Sequence, residues 1–346
     1  MTNNDTVPVF DGHNDILLRL WRAGAEGAAK RFLEGEEAGH IDLPRARKGG
    51  FAGGLCAVYV PSERVLNEEG NYPTPSHAEA VEATVGMAGI LARIEHASNG
   101  GVKICRSAAD IRAAMAAGSF ASVFHIEGAE AIGPDLDMLY LLHNAGLRTL
   151  GPVWSRPNIF AFGIPFRFPC GPDVGPGMSD LGKALIRACN ELRIMVDLSH
   201  MNEAGFWEIA KISDAPLVAS HSNAHALCAQ SRNLTDKQID AIGESGGLIG
   251  INFGASFFDP AGPDRDLDVD LSVLVRHVDH IVERIGIDHV ALGSDFDGTK
   301  IPNAMKDVTD LPKLIAALRK AGYAGEDLDK ICHGNWIRVL ERTWGG

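Results

Sequence analysis

Apolar residues fall in short runs that end in small or polar residues: VPVFDGHND from Val7, GGLCAVYVP from Gly53, FASVFHIEG from Phe120, LRTLGPVW from Leu147, IMVDLSH from Ile194, PLVASHS from Pro216, GGLIGINF from Gly246 and HVALGSDFDG from His289. Within each run the hydrophobicity is continuous rather than alternating, as expected of parallel strands covered on both faces. Between the runs, apolar positions recur at helical spacing, for example in SHAEAVEATVGMAGILARIEHA, LGKALIRACNELR, TDKQIDAIGES and LSVLVRHVDHIVERIG. Strand and helix therefore alternate, and eight such units predict a closed (β/α)8 TIM-type barrel of the α/β class. A C-terminal helical segment, DLPKLIAALRKAG then EDLDKICHGNWIRVLERT, is additional to it.

Two features depart from this count. VKICRS, near residue 102, reads as a ninth short strand outside the barrel, since no chemically useful residue ends it. The Gly- and Pro-rich stretch from Gly163 to Met178 reads as a long loop after the fourth strand, placed to cover a site. No linker, repeat or low-complexity segment interrupts the chain, so a single domain over residues 1–346 is expected.

Composition narrows the function without naming it. The chain has 346 residues, 45% of them hydrophobic and 22% charged, which describes an ordinary globular protein. A net charge of −13 argues against a nucleic-acid partner, which needs a clustered basic surface. The six cysteines are scattered without metal-ligand spacing and are expected to be reduced thiols. The N-terminal residues lack a basic start and an apolar core, and no later stretch reaches about 20 apolar residues, so a cytoplasmic protein away from membranes is expected.

The chemistry gathers where the runs end. In a parallel barrel the C-terminal strand ends feed the loops that carry catalytic residues. HND ends the first run, IEG the third, LSH the fifth, ASHS the sixth and GSDFDG the eighth. His13 and Asp15, two apart, share a face of an extended strand; Asp11 has the same parity but lies deeper. With His200 and His221 they form a set of imidazoles and carboxylates suited to Zn²⁺, and Glu127 has the two oxygens needed to bridge two ions. Asp295 and Asp297 are both candidates to move a proton at the reacting centre. Asp295 is preferred because it lies nearer the barrel, whereas Asp297-Gly298 suits a tight turn.

These motifs resemble one family closely: the membrane (renal-type) dipeptidases, peptidase family M19, among the amidohydrolase-like metal-dependent hydrolases. The likeness runs through DGHND at 11–15, IEG at 126–128, GMSDLGKALIRACNELRIMVDLSH ending at His200, APLVASHSNAHALCAQSRNLTDKQI from Ala215, GGLIGINF, GSDFDG and HGNWIRVL. It implies an amidohydrolase-like barrel and a dipeptidase that activates water between two zinc ions. His13 and Asp15 would hold one ion, His200 and His221 the other, and Glu127 both. Asp295 would accept and return the proton, and Arg232, in QSRNLTD, would receive the free carboxylate of the substrate. L,D-dipeptides are among the substrates it implies, and a homodimer is the assembly.

One departure stands out. Where the family has a substrate-binding histidine after the fourth strand, LRTLGPVWSRPN places Trp154. Tryptophan donates a single hydrogen bond and binds no metal, so oxyanion stabilisation would have to come from the metal, from that indole N–H, or from a neighbour such as Arg156. His143 is set aside as a substitute because it falls in a helix, and His125 because it is read on the opposite strand face from Glu127. Two rivals follow. One is metal-dependent hydrolysis of an N-acyl amino acid, a lactone or another small amide; the other is an inactive barrel that binds a ligand.

Overall fold

The computed structural model describes residues 7–63, 65–68, 70–261 and 267–345. Nine parallel strands occur among them: β1 (Val9–Asn14), β2 (Phe51–Tyr59), β3 (Val102–Ile104), β4 (Phe120–Glu127), β5 (Leu147–Gly151), β6 (Met195–Val196), β7 (Val218–Ala219), β8 (Leu248–Ile251) and β9 (Val290–Leu292). One ladder runs β1-β2-β4-β5-β6 and a second β7-β8-β9. Two parallel bridges join them, Asp197 with Val218 and Asn14 with Phe296. Backbone hydrogen bonds tie the same seams, from Leu198 to Val218 at 2.8 Å and from Asp15 to Phe296 at 2.8 Å. Eight strands thus close into the expected barrel. β3 stays outside it, pairing with the start of β4 on the side that β5 takes over further along.

Most of the predicted helices form. His77–Ala97 opens with a Ser76/Glu79 capping box, and Asp236–Glu244 with the pair Thr235/Gln238. Between β1 and β2 lie three short helices, Ile16–Arg22, Ala28–Glu34 and Leu43–Gly49, that the periodicity does not flag. Each spans only seven residues, too few to build up a periodic signal. The last predicted helix is divided into Glu326–Asp329, a π-helical turn Lys330–Gly334 and Asn335–Trp344.

The barrel interior is layered. At the N-terminal end Phe10, Leu55, Val123, Met195, Val218, Leu248 and Ala291 pack around Trp336, which is fully buried and donates its indole N–H to the Leu292 carbonyl at 2.9 Å. Above this apolar plug the same strand faces turn polar, and the register aligns Ala57 with His125 and Tyr59 with Glu127. His125 is therefore on the same face as Glu127, two residues below it. That corrects the expectation that it faced away: residues i and i+2 of a strand share a face.

β1 reaches this layer through a register shift against β2 between Asp11 and Asn14. The irregularity separates His13 from Asp11, whose carboxylate accepts hydrogen bonds from the Ser294 backbone and hydroxyl at 2.6 and 2.9 Å. β7 is drawn far into the barrel. A Cβ added at Gly12, Gly250 or Gly293 would collide with the Ser220 carbonyl, so only glycine on those strands lets β7 carry Ser220 and His221 toward the axis.

Candidate metal centre and active site

His13, Asp15, Glu127, His200 and His221 meet at the C-terminal mouth of the barrel, each no more than 5% exposed. His13 is the last but one residue of β1, Asp15 stands at the N-cap position of helix Ile16–Arg22, and Glu127 ends β4. His200 follows β6 and His221 follows β7. They converge on one atom: Glu127 Oε1 lies 2.8 Å from His200 Nε2, 3.4 Å from His221 Nε2 and 3.7 Å from His13 Nε2. Asp15 Oδ2 is 3.3 Å from His13 Nε2. His13, Glu127 and His221 form one group able to hold a cation, and His13, Asp15 and Asp295 form another. Both ring nitrogens of His13 and Asp15 Oδ1 are buried without a hydrogen-bond partner. Unpaired buried donors and acceptors are costly, and an ion among them removes that cost, so the donor set fits divalent metal.

Burial sets the protonation states. His200 and His221 are held well below the ordinary imidazole pKa, first by desolvation and then by surrounding cationic groups, Arg232 among them. Both are neutral; Arg232 Nε donates to His200 Nδ1, so without an ion the His200 ring proton lies on Nε2 toward Glu127. Burial likewise pushes Asp15 up to about 7 and Glu127 well above the carboxylate range, with neighbouring carboxylates adding to the shift. Asp295 is raised to about 6 by burial, against the pull of His13.

The histidines are oriented from behind. Asp197 accepts hydrogen bonds from the backbone and hydroxyl groups of both Ser199 and Ser220, so the Ser220 hydroxyl proton is committed to it. Ser220 Oγ, 2.7 Å from His221 Nδ1, then accepts the ring N–H and leaves Nε2 free toward Glu127. Ser155 Oγ lies 2.8 Å from His200 Nδ1. Beneath them His125 contacts His13 edge-on at 5.4 Å and bonds Thr149 through Nδ1 at 2.9 Å.

Asp295 and Asp297 separate clearly. Asp295 has a left-handed backbone (φ 59°), receives a hydrogen bond from Asn252 Nδ2 at 2.9 Å and lines the cavity. Asp297 turns away, accepting Arg19 Nε at 3.1 Å and the His40 backbone N–H at 2.6 Å. The cavity encloses about 330 Å³, with Asp15, Glu127, His200, Arg232, Asn252 and Asp295 on its polar side.

Arg232 is 3% exposed. It donates from Nη1 to Ser222 Oγ at 2.6 Å, from Nη2 to the His221 carbonyl at 3.0 Å and from Nε to His200 Nδ1 at 3.2 Å. Burial lowers its pKa to about 10, which leaves it a cation at neutral pH. Three of the five guanidinium N–H groups are engaged, and one on each Nη remains for an anion.

Trp154 also lines the cavity, with ring centroids of Tyr59 and Tyr72 at 5.1 Å and Phe166 at 5.6 Å. Phe166 and Phe168 belong to the Gly- and Pro-rich loop, which does cover the site. Arg156 does not serve there. Fully buried, it bonds Glu130 at 2.8 Å and the Val60 carbonyl at 2.7 Å, behind the aromatic side chains. Reading strand ends alone misses Asn252, Ser155, Ser220 and Asp197. Asn252 carried the same signal as the residues that were singled out, standing directly after a barrel strand in GGLIGINF.

A closed parallel barrel with imidazoles and carboxylates converging at its C-terminal mouth is the arrangement of a metal-dependent hydrolase. The family model for membrane dipeptidase, peptidase family M19, matches residues 4–344. The chain belongs to this family and is a metallo-dipeptidase. It is similar to a crystal structure of a metallo peptidase from Rhodobacter sphaeroides liganded with a phosphinate mimic of the dipeptide L-Ala-D-Ala, at 48% identity and a TM-score of 0.95, covering 98% of this chain and 100% of that one. An uncharacterized protein in the pqqA 5′ region of Klebsiella pneumoniae is 47% identical over 74% of this chain and 94% of its own length. Dipeptidase aclJ of Aspergillus oryzae is 31% identical over 96% of this chain and 78% of its own. No helix among the described residues is long and apolar enough to cross a membrane.

Proposed function

We propose that the chain cleaves dipeptides, L,D-dipeptides among them, with two divalent ions, zinc by the chemistry of the ligands. His13 and Asp15 would hold one ion and His200 and His221 the other, with Glu127 available to both. The observation that carries this reading is the position of Glu127 Oε1, within 3.7 Å of three imidazole nitrogens on three different strand ends. When bound, such ions polarise a carbonyl and lower the pKa of water enough for attack at neutral pH.

The remaining roles fall to the chain. Arg232 presents two N–H groups to the substrate carboxylate, which sets the scissile bond one residue before the C-terminus. Asp295, beside His13 and Asp15, takes the proton from the attacking water and returns it to the leaving amine, with Asn252 holding its Oδ2. The L-Ala-D-Ala mimic bound by the Rhodobacter sphaeroides peptidase supports a D-residue at the C-terminal position. Rates on a panel of L,L- and L,D-dipeptides and N-acyl amino acids test the reading. Turnover of dipeptides is the expected outcome, whereas turnover of acylated amino acids with inert dipeptides overturns it.

A further inference from the structure

The aromatic wall around Trp154 has no part in metal binding or proton transfer, and its position relative to Arg232 gives it a use. Around the closed barrel the strand order is β1-β2-β4-β5-β6-β7-β8-β9, so the strand opposite β7 is β2. Arg232 lies in the segment after β7. Tyr59 ends β2, level with Glu127, and Tyr72 lies in the segment that follows. A dipeptide whose carboxylate sits at Arg232 and whose scissile carbonyl sits at Glu127 therefore extends its N-terminal residue toward Tyr59 and Tyr72, with Trp154 between these rings and His200, whereas Phe166 belongs to the loop held to Ser231 beside Arg232.

The wall is a connected set: Tyr59 and Tyr72 each lie 5.1 Å from Trp154, and Phe166 lies 5.6 Å from Trp154 and 6.2 Å from Tyr72. Such rings offer edges and faces to another ring or a large apolar group. They are poorly suited to a second cation. The Arg156 guanidinium already stands 5.3 Å from the Trp154 ring centroid and 5.4 Å from that of Tyr59, fixed by its pairing with Glu130.

We propose that Tyr59, Tyr72 and Trp154 bind the side chain of the substrate's N-terminal residue and select an uncharged aromatic or large apolar group there. This rests on the dipeptidase reading and adds the substrate class to it. In this role Trp154 is a specificity residue rather than a replacement for a hydrogen-bonding histidine.

The test compares kcat/KM of the zinc-loaded protein on L-Phe-L-Ala, L-Lys-L-Ala, L-Ala-L-Phe and L-Ala-L-Ala, together with calorimetric binding of phosphinate analogues of Phe-Ala and Ala-Ala. L-Phe-L-Ala is expected to exceed L-Ala-L-Ala by about tenfold or more, the gain from burying a ring, and L-Lys-L-Ala is expected to gain nothing. Tyr72→Ala, a change in a surface segment, and Trp154→Leu should each cut the Phe-Ala to Ala-Ala ratio by about tenfold in both rate and affinity. Dipeptide cleavage with that ratio unmoved in both variants, or a preference carried by the C-terminal side chain, overturns the inference alone. A wild-type protein that cleaves no dipeptide overturns the dipeptidase reading and the inference with it.

Discussion

Asn252 donates its side-chain amide to Asp295 at 2.9 Å, and its own carbonyl oxygen is fixed by the Gly254 N–H at 2.6 Å. The amide cannot turn over without losing both bonds, so it holds one oxygen of Asp295 and leaves the other toward the cavity. Asn252→Leu is expected to lower kcat about 10- to 100-fold with little change in zinc content, the size of effect seen when the support of a functional group is removed. Asn252→Asp places a second carboxylate beside Asp295 and should move the acidic limb of the pH–rate profile upward. An unchanged profile in Asn252→Asp would remove Asn252 from this role.

Ser220 fixes the tautomer of His221 by relaying its Nδ1–H to Asp197. Ser220→Ala breaks the relay and takes from Asp197 Oδ2 its hydroxyl hydrogen bond. Competition with a chromogenic chelator should show zinc affinity about 10- to 100-fold weaker, with Ser220→Thr restoring part of the loss. Full affinity in Ser220→Ala would show that the relay is dispensable.

Metal affinity should depend steeply on pH, and the sign follows from the carboxylates rather than the histidines. In the metal-free protein His200 and His221 are already neutral, because burial holds them well below their ordinary pKa. Asp15, raised to about 7, and Glu127, raised well above the carboxylate range, hold protons that a bound cation must displace. Zinc affinity is expected to fall as pH drops through 7, with about one to two protons released per binding event near neutrality. Calorimetry in buffers of different ionisation enthalpy measures this directly, and zero net release would contradict the assignment.

The pH–rate profile adds a separate expectation. Asp295 is raised to about 6 in the metal-free cavity, and as a proton acceptor it must be ionised. Bound cations stabilise its charged form, so the acidic limb of kcat/KM should lie at or below about pH 6 and vanish in Asp295→Asn along with most of the activity. A limb that persists unshifted in a residually active Asp295→Asn would assign it to another group.

Gly250 tests how β7 reaches the axis. Because a Cβ there meets the Ser220 carbonyl, Gly250→Ala must push β7 outward and His221 with it. Denaturant unfolding should show a loss of about 2 kcal/mol or more, accompanied by weaker zinc binding. Wild-type stability and affinity would contradict the close approach.

The strand count, the barrel and the placement of β3 outside it were legible because continuous apolar runs mark buried parallel strands, and their polar ends mark the rim where the candidate ligands gather. His13, Glu127, His200 and Asp295 lie at such ends. Asp15 and Asp11 show where period-two reading fails. A register shift in β1 breaks the parity, so Asp15 reaches the cluster from a helix N-cap while Asp11 turns to Ser294. Arg156 was misread for a different reason: proximity in sequence to Trp154 says nothing of the buried Glu130 that claims it. Asp197 and Ser220 act through other side chains, and a linear pattern holds no trace of that relation.

Metal stoichiometry tests the central claim most directly. Elemental analysis of protein loaded with zinc and freed of excess should give two ions per chain, falling to one or none in His221→Ala and in Glu127→Ala, with dipeptide hydrolysis lost in parallel. One ion or fewer in the fully active wild-type protein, or two ions retained in both variants, would contradict a centre in which Glu127 joins His13 and Asp15 to His200 and His221.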